Sequence, residues 1–184
     1  MQFRFFHSIS LCSSGFYTLL HEKEGESVKI WTIIFSKWFL SMAVVHKTVF
    51  VSYSAEQMFA LVEKVEDYPE FLPWCGGVEV GQRTEQQLTA TLSINYHGIK
   101  QRFTTKNSNF PPNLMEMSLV DGPFKQLSGR WMFSALRSDA CKIEFDLNYE
   151  FSSKLLEHLI GPVFSKIANS FVDSFCARAE KIYG

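Results

Sequence analysis

Apolar residues recur in pairs every four positions near the end of the chain: Leu155 and Leu156, Leu159 and Ile160, Val163 and Phe164, Ile167 and Ala168, Phe171 and Val172. Phe175, Ala179 and Ile182 continue the series, while Lys154, Glu157, Lys166, Asn169, Asp173, Arg178 and Glu180 fall mostly off it. Residues four apart share a helix face, so residues 153–183 read as a long amphipathic helix with one broad apolar stripe. Gly161-Pro162 interrupts the stripe. A proline inside a helix removes a backbone donor and crowds the preceding turn, so the spacing predicts two pieces, about 153–160 and 162–181.

A stripe that wide needs an equally wide partner, and earlier segments offer one in period-two alternation. Residues 45–53 are β-branched and aromatic, a first strand. Ser54-Ala55-Glu56-Gln57 then has the form of a capping box, and Ala55, Met58, Phe59 and Val62 follow at one-face spacing, a helix ending near Lys64. In residues 87–96, Leu88, Ala90, Leu92, Ile94 and Tyr96 alternate with polar residues, and His97-Gly98 makes a turn. Residues 100–107 return, Pro111-Pro112-Asn113 turns again, and residues 114–120 form another strand closed by Asp121-Gly122-Pro123. Leu127, Gly129, Trp131 and Phe133 share a face, and a glycine among large apolar neighbours marks a bulge or a close approach. The last strand sends Cys141, Ile143, Phe145, Leu147, Tyr149 and Phe151 inward and Lys142, Glu144, Asp146, Asn148 and Glu150 outward.

Short turns between successive strands imply an antiparallel meander. A curved sheet with one apolar face covers a long helix by wrapping it, and a cavity is expected where the two shapes do not match. Residues 65–77 hold Tyr68, Phe71, Leu72 and Trp74 between two prolines and a glycine pair, so neither a long helix nor a long strand crosses them. Those side chains are expected at the mouth of a pocket or at the end of the core.

Composition fits one globular domain. The chain of 184 residues is 46% hydrophobic and 20% charged, with a net charge of −1. That near-neutral balance argues against a dedicated duplex binder, and DNA is not an expected partner. Aromatics reach 15%, including eighteen phenylalanines, enough to line a cavity or to fill a core. Cys12, Cys75, Cys141 and Cys176 have no CxxC spacing and the histidines are dispersed, so neither a zinc site nor a disulfide framework is signalled. Residues 1–41 lack steady periodicity, and their apolar run is too short to span a bilayer, which takes about 20 residues. They read as an extension outside the fold, the domain proper being residues 42–184; a weak membrane-surface anchor through Phe35, Trp38 and Phe39 is the competing expectation.

The element order, the run Tyr68-Pro69-Glu70-Phe71-Leu72-Pro73-Trp74-Cys75, the turn Asp121-Gly122-Pro123-Phe124-Lys125 with Leu127, Gly129 and Trp131 after it, and Gly161-Pro162-Val163-Phe164 together resemble the START-like helix-grip superfamily. Within it the chain is similar to the group that holds the coenzyme Q-binding proteins and the ribosome association toxin RatA. The resemblance implies an α+β fold in which a curved antiparallel sheet of about seven strands wraps a long C-terminal helix, with two short helices after the first strand. It also implies a non-enzymatic binder of a hydrophobic ligand, a polyprenyl quinone such as ubiquinone, that supports respiration as a lipid chaperone or carrier. Tyr68, Phe71, Trp74, Phe124, Trp131 and Phe164 are then the candidate walls. Lys125 is a candidate partner for a quinone carbonyl, or simply a solvated turn lysine.

The alternative implied by the same group is binding of the large ribosomal subunit that blocks subunit association. Arg83, Lys100, Arg102 and Lys106 could present charge to RNA, although from Met42 onward 14 basic residues face 16 acidic ones. A polyketide cyclase or aromatase is the third class, but no catalytic constellation is legible, and no metal or cofactor is expected beyond a bound ubiquinone or other lipid. The expected setting is the cytoplasm, with peripheral and transient contact to the inner membrane.

Overall fold

The computed structural model describes residues 42–184, which fall within one compact unit; the expectations for residues 1–41 lie outside the described residues. The first strand, β1 (Ala43–Val51), leads into α1 (Ala55–Glu63), a 3-10 turn (Val65–Asp67) and the single-turn α2 (Tyr68–Phe71). Six strands follow without interruption: β2 (Cys75–Arg83), β3 (Gln87–Tyr96), β4 (Ile99–Phe110), β5 (Leu114–Asp121), β6 (Phe124–Arg137) and β7 (Ala140–Phe151). The chain closes with α3 (Lys154–Tyr183). This is the expected helix grip, with seven antiparallel strands in the order β1-β7-β6-β5-β4-β3-β2.

Local chemistry accounts for the boundaries. The Ser54 hydroxyl accepts from the Gln57 amide at 3.2 Å and the Gln57 side chain accepts from the Ser54 amide at 2.8 Å, so the capping box starts α1. α1 and α2 then carry the chain from β1, at one edge of the sheet, to β2 at the other. His97 and Gly98 both have positive φ, at 49° and 82°, the two-residue turn that matches the twist of a hairpin. At Gly122, with φ of 144°, an added Cβ would stand 2.7 Å from the Phe103 Cβ, so the β5–β6 turn lies directly over β4. β2 begins inside the stretch read as irregular, and its register with β3 breaks between Cys75 and Gly77 and again between Val80 and Arg83.

One expectation fails in α3. The helix runs unbroken through Pro162 where two pieces were predicted. Ile160 before the proline and Phe164, Ile167 and Ala168 after it are all buried against the sheet, so one continuous packed face holds both segments in line despite the missing donor. β1 also starts two residues earlier than predicted, because its pairing with β7 extends from Ala43 opposite Tyr149 to Val51 opposite Cys141.

Candidate ligand site

The inner face of the sheet is built by alternation. β6 contributes Phe124, Leu127, Trp131 and Phe133, and β7 contributes Ile143, Phe145, Leu147, Tyr149 and Phe151, all buried. Opposite them α3 lays down Phe164, Ile167, Val172 and Phe175. The rings gather in two groups. In one, Phe124 and Tyr149 stand 4.8 and 4.7 Å from Phe164, with Phe103 and Phe151 beside them. In the other, Trp131 stands 4.4 Å from Phe145, 5.6 Å from Phe171 and 5.3 Å from Phe175.

Six of the seven sequence-derived candidates meet under α3. Phe124 and Phe164 belong to the first ring group and Trp131 to the second. Tyr68 joins the second group against Phe175 at 5.3 Å, and its hydroxyl donates to the Val62 carbonyl at 2.6 Å. Burial pushes its phenol well above the ordinary tyrosine range, so it stays a neutral donor. Phe71 is half-buried, 5.0 Å from Phe175 and capped by the Arg178 guanidinium at 5.3 Å. Arg178 also holds Glu70 at 2.7 Å, which ties α2 to α3. Trp74 is buried 5.6 Å from Phe171. Lys125 is the one left out, exposed on the outer side of β6 and paired with Glu150 at 3.1 Å.

The expected void is largely absent. Rings from sheet and helix interdigitate, and the opening between them, bordered by Ile99, Phe124, Ile160 and Phe164, holds about 10 Å³. That is room for one water, roughly 10–15 Å³, and not for a ring-bearing lipid. Gly129 contributes to the filling, because an added Cβ would strike the Met117 methyl, which occupies the notch that the glycine leaves. A larger groove of about 660 Å³ crosses the outer face of the sheet, but its walls are polar and of mixed charge, including Lys106, Glu116, Arg130 and Asp146.

Two features of the interior were not legible in the sequence. The inner face of β4 carries Thr105, Asn107 and Asn109, each only 3% exposed, between apolar β3 and the methionines of β5. Thr105 donates to Asn107 at 3.0 Å and Asn109 donates to Glu63 at 3.0 Å. Polar residues also fill the outer face of β4, so alternation fades after Phe103; the register opposite Leu88, Ala90 and Met115 places these three inward. The second feature is a set of buried polar atoms without a partner among the described residues, namely Trp74 Nε1, Trp131 Nε1 and Asn109 Oδ1 within the grip.

The inward Cys141 thiol is pushed up to about 11 by burial, and burial raises Tyr149 as well, so both stay protonated at neutral pH. Asp146 lies on the outer side, hydrogen-bonded by His46 and Arg130, which together hold its carboxyl below the ordinary aspartate value. Among the described residues no cluster of three or more metal-ligating side chains occurs. No helix among them is long and apolar enough to cross a membrane.

Comparison with known proteins agrees with this geometry. Residues 51–176 match the family described as polyketide cyclase / dehydrase and lipid transport. The ribosome association toxin RatA of Vibrio cholerae is 45% identical, over 78% of this chain and 99% of that protein. A mitochondrial coenzyme Q-binding protein COQ10 homolog B of Xenopus laevis is 30% identical, over 73% of this chain and 57% of that protein. The crystal structure of the Streptomyces aromatase/cyclase Zhui superposes with a TM-score of 0.68 over 76% of this chain and 94% of that one, at 15% identity, a likeness of fold.

Proposed function

This chain belongs to the polyketide cyclase / dehydrase and lipid transport family and has its START-like ligand-binding fold, and we propose that it binds a polyprenyl quinone, ubiquinone or a close analogue, between sheet and α3 without catalysing a reaction. The observation that carries this reading is the pair of buried indole donors. Trp74 Nε1 and Trp131 Nε1 flank Phe171 in an otherwise aromatic interior, and neither meets an acceptor. A buried donor left unpaired costs about 1–3 kcal/mol, which a quinone carbonyl would recover. The surrounding rings suit a quinone ring and the aliphatic residues suit an isoprenoid tail.

Entry requires the grip to open, since the present opening admits one water at most. α3 is the element placed to move: Leu155 and Leu159 near its start are 67% and 56% exposed, and Pro162 removes one of the hydrogen bonds that would stiffen it. The carboxylates of β7 face outward and the inward thiol and phenols stay protonated, which favours a carrier over a cyclase.

The test is lipid extraction and mass spectrometry of the purified protein, with titration of short-chain ubiquinone followed by tryptophan fluorescence. Bound quinone or saturable quenching is expected, abolished by Trp131→Lys or Phe124→Asp. Neither signal appearing would overturn the reading.

Ribosome association is the second reading, favoured by the 45% identity to a protein of that name over nearly its full length. Two of the four cations that could serve it are already neutralised, Arg83 by Glu66 and Arg102 by Glu79. It predicts cosedimentation with large subunits that weakens as salt rises.

A further inference from the structure

Asn109 stands on the inner face of β4, 3% exposed, in the same cross-sheet row as Met115 of β5 and Trp131 of β6. Its amide has one permitted orientation. The Glu63 carboxylate can only accept, so the amide nitrogen faces Glu63 at 3.0 Å and Oδ1 is turned away. That oxygen is buried and meets no donor among the described residues. Thr105, next along the strand, spends its hydroxyl proton on Asn107, and neither residue donates to that oxygen.

Trp131 Nε1 is the complementary case, a buried donor without an acceptor. An acceptor and a donor left open in one row call for a guest that carries both functions. The backbones of β4 and β6 are two strand spacings apart, about 9.5 Å. Both side chains rise from the inner face of the sheet, one on each side of Met115, and a ring that carries two oxygens can offer one to each of them. Met115 fills the space between them, fully buried, and its unbranched chain is the kind of filler that an incoming ring displaces.

We propose that Asn109 and Trp131 are the two ends of a head-group site that selects the reduced, hydroxylated ring, a quinol, over the quinone. The inference rests on the quinone-binding reading above. A quinol hydroxyl donates to Asn109 Oδ1 while the oxygen across the ring accepts from Trp131 Nε1. A quinone offers acceptors alone, so it satisfies Trp131 and leaves Asn109 unpaired. One buried unpaired acceptor corresponds to a loss of about tenfold to a hundredfold in affinity.

The full-length protein is titrated anaerobically by calorimetry with decyl-ubiquinol and separately with decyl-ubiquinone, in the wild type and in Asn109→Leu. The wild type is expected to bind the quinol at least about tenfold more tightly, and the variant to lose that preference. Equal binding of both forms by the wild type, or a preference that survives in the variant, overturns the selection and leaves quinone binding standing. Binding of neither form overturns both readings. Should Asn109→Leu fail to fold, the dimethyl ether of the quinol decides the matter on the wild type. It keeps both oxygens and lacks the donors, so it should bind as weakly as the quinone, and binding as tight as the quinol's would remove Asn109's role.

Discussion

Trp131 touches Phe145, Phe171 and Phe175 through its ring, while its indole N–H touches no acceptor, and the two halves of the side chain can be tested apart. Trp131→Phe keeps most of the ring contact and removes the orphan donor. Stability by urea denaturation is expected within about 1 kcal/mol of wild type, because relief of the unpaired donor offsets lost area. Quinone affinity is expected to fall at the same time; a tryptophan that served packing alone would give the reverse pattern. Asp146 gives a prediction on the acid side. Hydrogen bonds from His46 first, then from Arg130, lower its pKa from 3.8, so its contribution to stability is present above that value and fades as pH drops through the lower folded value. Asp146→Asn should therefore lose part of the wild type's decline in melting temperature on acidification. At this scale the sequence revealed rings better than polar groups. Tyr68, Trp74, Phe124, Trp131 and Phe164 are large and apolar and had to be buried somewhere, whereas Asn109 looks like any strand asparagine until its register is known, and Lys125 sits one residue from a buried phenylalanine and faces the other way.

Between elements, Gly129 and Met117 form one fitted contact across β5 and β6. Gly129→Ala should destabilise by about 1–3 kcal/mol through overcrowding, and Met117→Ala in the same chain should recover part of that loss. A double-mutant cycle in urea measures the coupling, and strict additivity would show that the methionine does not depend on the notch. Pro162→Ala supplies the missing donor inside α3. The melting temperature is expected to rise, by up to about 3 kcal/mol in stability, while stopped-flow quinone uptake slows because the helix bends less readily. The continuity of α3 could not be read from its own sequence: local propensity argued for a break, and packing from Ile160 through Ala168 overrode it. The capping box before α1 and the His97-Gly98 turn were legible because three or four adjacent residues settle each of them.

For the whole molecule, the meander was readable from short turns, but the adjacency of β1 and β7, strands almost a hundred residues apart, depends on long-range pairing that no local pattern encodes. The interior was legible in its chemistry and not in its volume, because a sequence rich in phenylalanine suits a lined cavity and a filled core equally. A chain beginning at Met42 contains every strand and helix of the grip, so it is expected to match the full chain in melting temperature and quinone uptake. A large drop in either would assign residues 1–41 a part in the fold or the site.

The two register breaks along β2 bear on what the protein does when crowded. They fall in an edge strand whose residues from Glu79 onward are exposed, so the free amides and carbonyls along that border are out of step with the even spacing of an extended chain. A second copy aligning there would find no continuous template, so fibrillar self-stacking is discouraged along this margin of the sheet.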